Sequence, residues 1–186
     1  MSYKTLFNRL KNLIISPSAE WKEIDKEELS GLNAVHQFAL PLIALSAIAA
    51  FIGTAIYLEG FNVEESLKKA LLVFVSLFSS IYVSMGAIYF LMPKFNLSQD
   101  RNKVFRFVAY ASAVIFAIKF ITELIPELFF LKILNLYTAF IVWEGVTPIF
   151  EVNEKDKASF VVFCSFVIIA GNYAVFSLLR ILMPGF

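Results

Sequence analysis

Histidine and cysteine are almost absent from this chain of 186 residues, which has one of each. The lone Cys164 excludes a disulfide within the chain and a cysteine-based metal site. The lone His36 cannot be half of a histidine-based metal site, and a Ser–His dyad would depend on it alone. The G-x-S-x-G, H-E-x-x-H and glycine-rich phosphate-loop motifs are also missing. We therefore predict no catalytic residue, no metal and no cofactor.

Charge is scarce as well. Only 17% of the residues are charged and 59% are hydrophobic. Soluble domains average about 25% charged and about 45–50% hydrophobic residues. The formal net charge is +1, so no surplus of basic side chains remains to neutralise phosphates, and we expect no nucleic-acid partner. The hydrophobic surplus lies in long runs, which indicates an integral membrane protein.

Five runs are long enough to cross a bilayer, because about 20 helical residues cover a hydrocarbon core of about 30 Å. Barrel strands of about ten alternating residues do not fit them. We predict an all-α polytopic membrane protein with its transmembrane domain at residues 36–186. A few residues separate the third and fourth runs, which predicts a tight antiparallel hairpin. The predicted spans are about residues 38–58, 70–92, 104–125, 128–150 and 159–183.

Residues 1–35 form a predicted cytoplasmic segment with an amphipathic helix, because apolar residues recur there at spacings of three and four. We expect Leu6, Phe7 and Leu10 to lie in the membrane interface. The alternative is a helix packed on the protein's own cytoplasmic surface. Trp21 is assigned to the headgroup level, where its ring is apolar and its N–H stays hydrated. The lipid bilayer is thus the expected partner.

Basic residues are distributed unevenly about the five spans. With 16 basic residues in all, only five fall on the side opposite the N-terminus: Lys68, Lys69, Lys119, Lys132 and Arg180. The positive-inside rule then places the N-terminus in the cytoplasm and the C-terminus outside. We expect the membrane to be the bacterial cytoplasmic membrane.

Glu144 is an acid within the fourth predicted span, and an ionisable group there is a functional hypothesis. It lies seven residues before Glu151, where the chain turns polar, or about 10 Å of helix. A straight helix would bury its carboxyl group. A helix that ends early, at Gly145 or Pro148, would leave it at the headgroup level. Both alternatives remain open.

Three further polar residues lie in apolar runs. Lys119 and Glu123 are four residues apart, so they share a helix face and can pair. Asn172 lies near the middle of the fifth span. A small transporter or channel, with Glu144 in a polar pathway shared with these residues, is the alternative function.

Small residues spaced by four predict close helix packing in lipid. They form one stripe in the first span and another in the second: Ser46, Ala50 and Thr54, then Ser76, Ser80 and Ser84. The same stripes permit a homo-oligomer.

Four parts of the chain carry a family resemblance. They are NRLKNLIISP with EWKEI (residues 8–17 and 20–24), VFRFVAYA (104–111), IP (125–126), and LY, WEGV and VNEKDKA (136–137, 143–146 and 152–158). In their order and spacing they resemble the Yip family (Ypt/Rab-interacting protein domain), in its short bacterial form. The resemblance implies five membrane helices, a cytoplasmic N-terminus and no known enzymatic activity.

Eukaryotic members of that family are associated with vesicle trafficking and small-GTPase partners. Their long cytoplasmic N-terminal region has no counterpart in the about 36 residues before the first span, so we do not expect GTPase binding. The expected function is that of a membrane protein without catalytic activity that organises protein partners or lipids.

Overall fold

The computed structural model describes residues 2–27, 29–57 and 62–182, which form seven helices and no strand. Two short helices come first, α1 (Tyr3–Ile15) and α2 (Pro17–Lys26). Five long apolar helices follow: α3 (Gly31–Tyr57), α4 (Val63–Phe95), α5 (Arg101–Leu124), α6 (Pro126–Phe150) and α7 (Glu154–Leu182). The predicted all-α architecture with five spans is confirmed. Residues 58 and 183, at two predicted span ends, lie outside the described residues.

The helices begin earlier than the hydrophobic runs. α3 begins at Gly31, whose N–H donates to Asn102 Oδ1 at 3.3 Å, and a Cβ at Gly31 would overlap the Asn102 backbone. α4 begins at Val63, after Asn62 caps it by accepting from the N–H groups of the next turn. Hydropathy indicates where lipid contact begins, whereas capping and packing decide where a helix begins.

Helix α5 lies at the centre of the bundle and is interrupted at Ser112. Residues 104–111 are all buried. The Ser112 hydroxyl donates to the carbonyl of Val108 at 2.8 Å, a bond that bends helices because it competes with the regular ladder. The third span, predicted at about residues 104–125, is present and consists of two helical segments that meet at Ser112.

Helices α5 and α6 form the predicted hairpin, with Ile125 between them and packing contacts along their lengths. α6 starts as a 3₁₀ helix over Pro126–Tyr137 and continues as an α-helix over Thr138–Phe150. Gly145 and Pro148 do not end it. It ends at Phe150, before Glu151, which has a positive φ of 53°.

The serine stripes pack inside the bundle. Ser46 on α3 donates to the carbonyl of Leu42 at 2.9 Å and approaches that of Phe116 on α5 at 3.3 Å. On α4, Ser76 and Ser80 are buried and donate to carbonyls one turn back. The hydroxyls are therefore satisfied while the helices approach closely, as the spacing predicted.

Large apolar side chains cover the outside of the long helices. Such a surface is favourable in contact with lipid. In water it would be a large contiguous apolar patch, which soluble proteins rarely expose. Examples from three spans are Ile48, Ile52, Val83, Phe90, Val162 and Phe166.

Candidate functional site

Helices α1 and α2 share the hydrophobic core of the bundle. Leu6 is 2% exposed, and Leu13, Trp21 and Ile24 are fully buried. The expectation that Leu6 and Trp21 lie at the membrane interface is therefore wrong, because protein atoms surround both side chains. Phe7 is 52% exposed and Leu10 is partly buried, so their interfacial position stays a prediction.

Trp21 fills a notch on α6. Its Nε1 donates to the carbonyl of Ile141 at 2.9 Å, and its ring stacks on Phe107 of α5 at a centroid distance of 5.4 Å. The notch exists because Gly145 has no side chain: a Cβ there would overlap the indole ring. A buried indole with a satisfied N–H is favourable, so Trp21 anchors α2 to two spans.

Arg9 ties α1 to α2 and to α5. Its Nη1 donates to Glu27 Oε2 at 2.8 Å, and its Nε lies 3.0 Å from Glu20 Oε1 without the geometry of a hydrogen bond. The guanidinium lies 5.5 Å from the ring centroid of Tyr110. Burial alone would lower the pKa of Arg9, but the hydrogen bond to Glu27 and the nearby charges raise it overall. Arg106 completes the cluster by donating to the Glu27 carbonyl at 2.8 Å.

Glu144 faces a groove between α2 and α6. The helix continues past it, and its side chain is partly buried. The groove has a volume of about 710 Å³, and Ser18, Lys22 and Pro148 also line it. Within the described chain, Glu144 forms no hydrogen bond or ion pair. Its carboxyl thus faces an open groove beside α2 and is not enclosed in the core.

Lys119, Glu123 and Asn172 meet in a separate cavity of about 400 Å³, which we call the basic pocket. It lies where α5 and α7 end and α4 and α6 begin. The charged groups that line it are four cations and one carboxylate: Lys69, Lys119, Lys132, Arg180 and Glu123. Glu144 is not among its lining residues.

The predicted Lys119–Glu123 pair forms across one helical turn, with Lys119 Nζ 2.8 Å from Glu123 Oε1. The two side chains are only 16% and 11% exposed. Lys69 Nζ lies 3.5 Å from the other carboxylate oxygen. The Lys119 ammonium also lies 4.3 Å from the ring centroid of Phe176, a distance that allows a cation–π interaction. The Glu123 carboxylate is therefore the counterion of both the Lys119 and the Lys69 ammonium groups.

Two asparagines join the helices around the pocket. Asn135 Nδ2 donates to the Tyr173 hydroxyl at 2.9 Å, while the buried Asn135 Oδ1 has no partner in the described structure. Asn172 Nδ2 donates to Ser80 Oγ at 3.4 Å, linking α7 to α4. The Tyr173 oxygen accepts from Asn135, so its own hydrogen remains available to a ligand.

The sequence analysis did not identify Lys69, Lys132 and Arg180 as site residues. All three are among the five basic residues on the side opposite the N-terminus. Their shared side is the one signal in the sequence that could have grouped them. Their convergence depends on how each helix is rotated about its axis, which spacing within one helix does not determine. Among residues 2–27, 29–57 and 62–182, no group of three or more His, Cys, Asp or Glu side chains could hold a metal ion.

Comparison with protein families gives a match to the Yip1 domain over residues 11–176. Comparison with curated proteins and with solved structures gives no match. The matched segment includes the last five residues of α1, all of α2 and the five long helices except for the last residues of α7.

Proposed function

The chain belongs to the Yip1 domain family and is an integral membrane protein, and from this premise we propose that it has no catalytic activity and organises membrane lipids through α1. Protein partners, including a second copy of the chain, would be recruited at the same surface. The transporter alternative receives no support from the geometry, because the groove at Glu144 and the basic pocket share no lining residue.

An exposed apolar stripe on α1 carries this proposal. Leu6 and Leu13 face the bundle, whereas Tyr3, Phe7 and Ile15 are 82%, 52% and 67% exposed. The three exposed residues are four and eight positions apart, so they share one face. The exposed Lys4 and Lys11 lie on that face too, where their stems can follow the acyl boundary while their ammonium groups reach the headgroups. Contact with the acyl boundary of a bilayer would remove this stripe from water.

The attachment of α1 to the bundle holds the stripe at a fixed position, where it could act as a wedge in one leaflet. The Arg9 cluster joins α1 to α2 and α5, and Trp21 joins α2 to α6. Insertion of the stripe into one leaflet would therefore displace lipid beside the bundle at a constant position.

Replacing the stripe with charge should reverse its effect on lipid packing. We expect vesicles that contain the protein to show red-shifted Laurdan emission, because a wedge in one leaflet admits water between headgroups. Phe7→Glu with Ile15→Glu should abolish most of that red shift, since a charged face is excluded from the acyl region. Ser2→Glu with Thr5→Glu adds the same charge at exposed polar positions outside the stripe and should behave like wild type. Equal spectra for the three proteins would contradict the proposal.

Orientation is a second part of the proposal: the N-terminus lies in the cytoplasm of a bacterium and the C-terminus outside its cytoplasmic membrane. The distribution of basic residues supports it. A C-terminal alkaline phosphatase fusion is expected to be active and a C-terminal green fluorescent protein fusion dark. The reverse pattern would show the opposite orientation.

A further inference from the structure

We propose that the basic pocket binds the phosphate group of an anionic phospholipid. This goes beyond the proposed function, because the pocket lies at the other end of the spans from the Trp21 anchor and does not involve α1. It would give the protein a bound lipid on the side opposite its cytoplasmic helices.

Positive charge in the pocket exceeds the negative charge that the described residues supply. Glu123 is the one carboxylate among the described lining residues, and Lys119 and Lys69 already contact it. Lys132 and Arg180 form no hydrogen bond or ion pair with any described residue. Cations gathered in a cavity with low-dielectric walls concentrate an anion, because the field there is weakly screened. A phosphate ester supplies the missing negative charge.

A neutral donor, the Tyr173 hydroxyl, completes a cradle for phosphate oxygens. The Tyr173 hydroxyl accepts from Asn135 and has its own hydrogen to donate. Lys132, Tyr173 and Arg180 are all exposed at the mouth, so a phosphate group can enter from outside the bundle. The cavity volume of about 400 Å³ lies within the usual range for small-molecule sites, about 300–1,000 Å³.

Exposed apolar residues neighbour both cations along the chain, which favours a lipid over free phosphate. Lys132 lies between Phe129 and Ile133 in the chain, and these two are 67% and 66% exposed. Phe176, one turn before Arg180, lines the pocket, and Leu178 and Ile181, which neighbour Arg180 in the chain, are 56% and 75% exposed. A phospholipid matches both features, since its phosphate meets the cations while its acyl chains cover the apolar flank. Free phosphate would leave that flank uncovered.

Native mass spectrometry of the full chain in detergent, with equimolar phosphatidylglycerol and phosphatidylcholine, tests the proposal. Wild type should retain phosphatidylglycerol preferentially. Lys132→Gln with Arg180→Gln should lower that retention at least about tenfold, because each basic residue near an anionic headgroup contributes about fivefold in affinity. Lys94→Gln with Lys155→Gln makes the same charge change at exposed positions on the other end of the spans and should retain the lipid like wild type.

Three results would overturn the proposal. Unchanged retention in the Lys132/Arg180 variant would place the lipid elsewhere, and an equal loss in the Lys94/Lys155 variant would mean attraction by net charge alone. Displacement of phosphatidylglycerol by millimolar inorganic phosphate would make free phosphate the ligand. If the double variant does not fold, Lys132→Gln alone, at an exposed position, should lower the retention of phosphatidylglycerol about fivefold.

None of these results depends on the Laurdan measurement, so the two proposals fail separately.

Discussion

Trp21→Ala should lower the free energy of unfolding of the full chain in detergent by about 3–5 kcal/mol, the usual cost of truncating a buried tryptophan. The ring is fully buried, stacks on Phe107 and donates to the Ile141 carbonyl. Its removal leaves a cavity between α2, α5 and α6. We also expect faster protease cleavage after α2, because α2 loses its anchor. Helical circular dichroism during titration with denaturant measures the first effect.

The second tryptophan supplies the control. Trp143 is 42% exposed on the same helix that accepts Trp21, and its ring lies 4.8 Å from the Lys157 ammonium. Trp143→Ala leaves no buried cavity, so we expect a loss below about 1 kcal/mol. Equal losses for the two variants would mean that α2 is not docked as described.

Gly145→Ala tests the same notch from the opposite side. A Cβ at Gly145 would overlap the indole ring, and overpacking of this kind costs about 1–3 kcal/mol. At Gly86, also within a long helix, a Cβ would meet no atom within 4 Å. Gly86→Ala should therefore be neutral or stabilising by up to about 1 kcal/mol, because alanine favours a helix more than glycine does.

Glu123→Gln is the second substitution with a large expected effect, a loss of about 3 kcal/mol in the free energy of unfolding. The Lys119 and Glu123 side chains are 16% and 11% exposed, so the change leaves a largely desolvated ammonium group without a carboxylate. Breaking a buried pair from one side costs about 3–5 kcal/mol for this reason. Lys69, 3.5 Å from the same carboxylate, loses its counterion too.

A pair of the same spacing on α4 provides a matched control. Lys68 Nζ and Glu64 Oε1 are 2.7 Å apart across one turn, but their side chains are 33% and 74% exposed. Glu64→Gln should cost less than about 0.5 kcal/mol, because water screens and solvates the charges. Similar losses for Glu123→Gln and Glu64→Gln in the same denaturant titration would show that burial does not set the energy of the Lys119–Glu123 pair.

Features that depend on spacing along one helix, or on the length of an apolar run, could be predicted from the sequence alone. The five spans follow from run length and hydropathy, and the serine stripes and the Lys119–Glu123 pair follow from a spacing of four. The hairpin of α5 and α6 follows from the short connection before Leu128. Each of these is a local property, so no knowledge of helix orientation was needed.

Contacts between side chains of different helices could not be predicted in this way and are seen only in the folded bundle. Tryptophan is a residue type that favours the membrane interface. Trp21 is nevertheless buried, because Gly145, 124 positions later in the chain, leaves room for its ring on α6. Glu144 and Asn172 both interrupt apolar runs, yet they line separate cavities. Lys132 and Arg180 reach the basic pocket because α6 and α7 are rotated toward α5. These outcomes depend on the rotation and height of each helix relative to its neighbours, which are set by packing between distant parts of the chain.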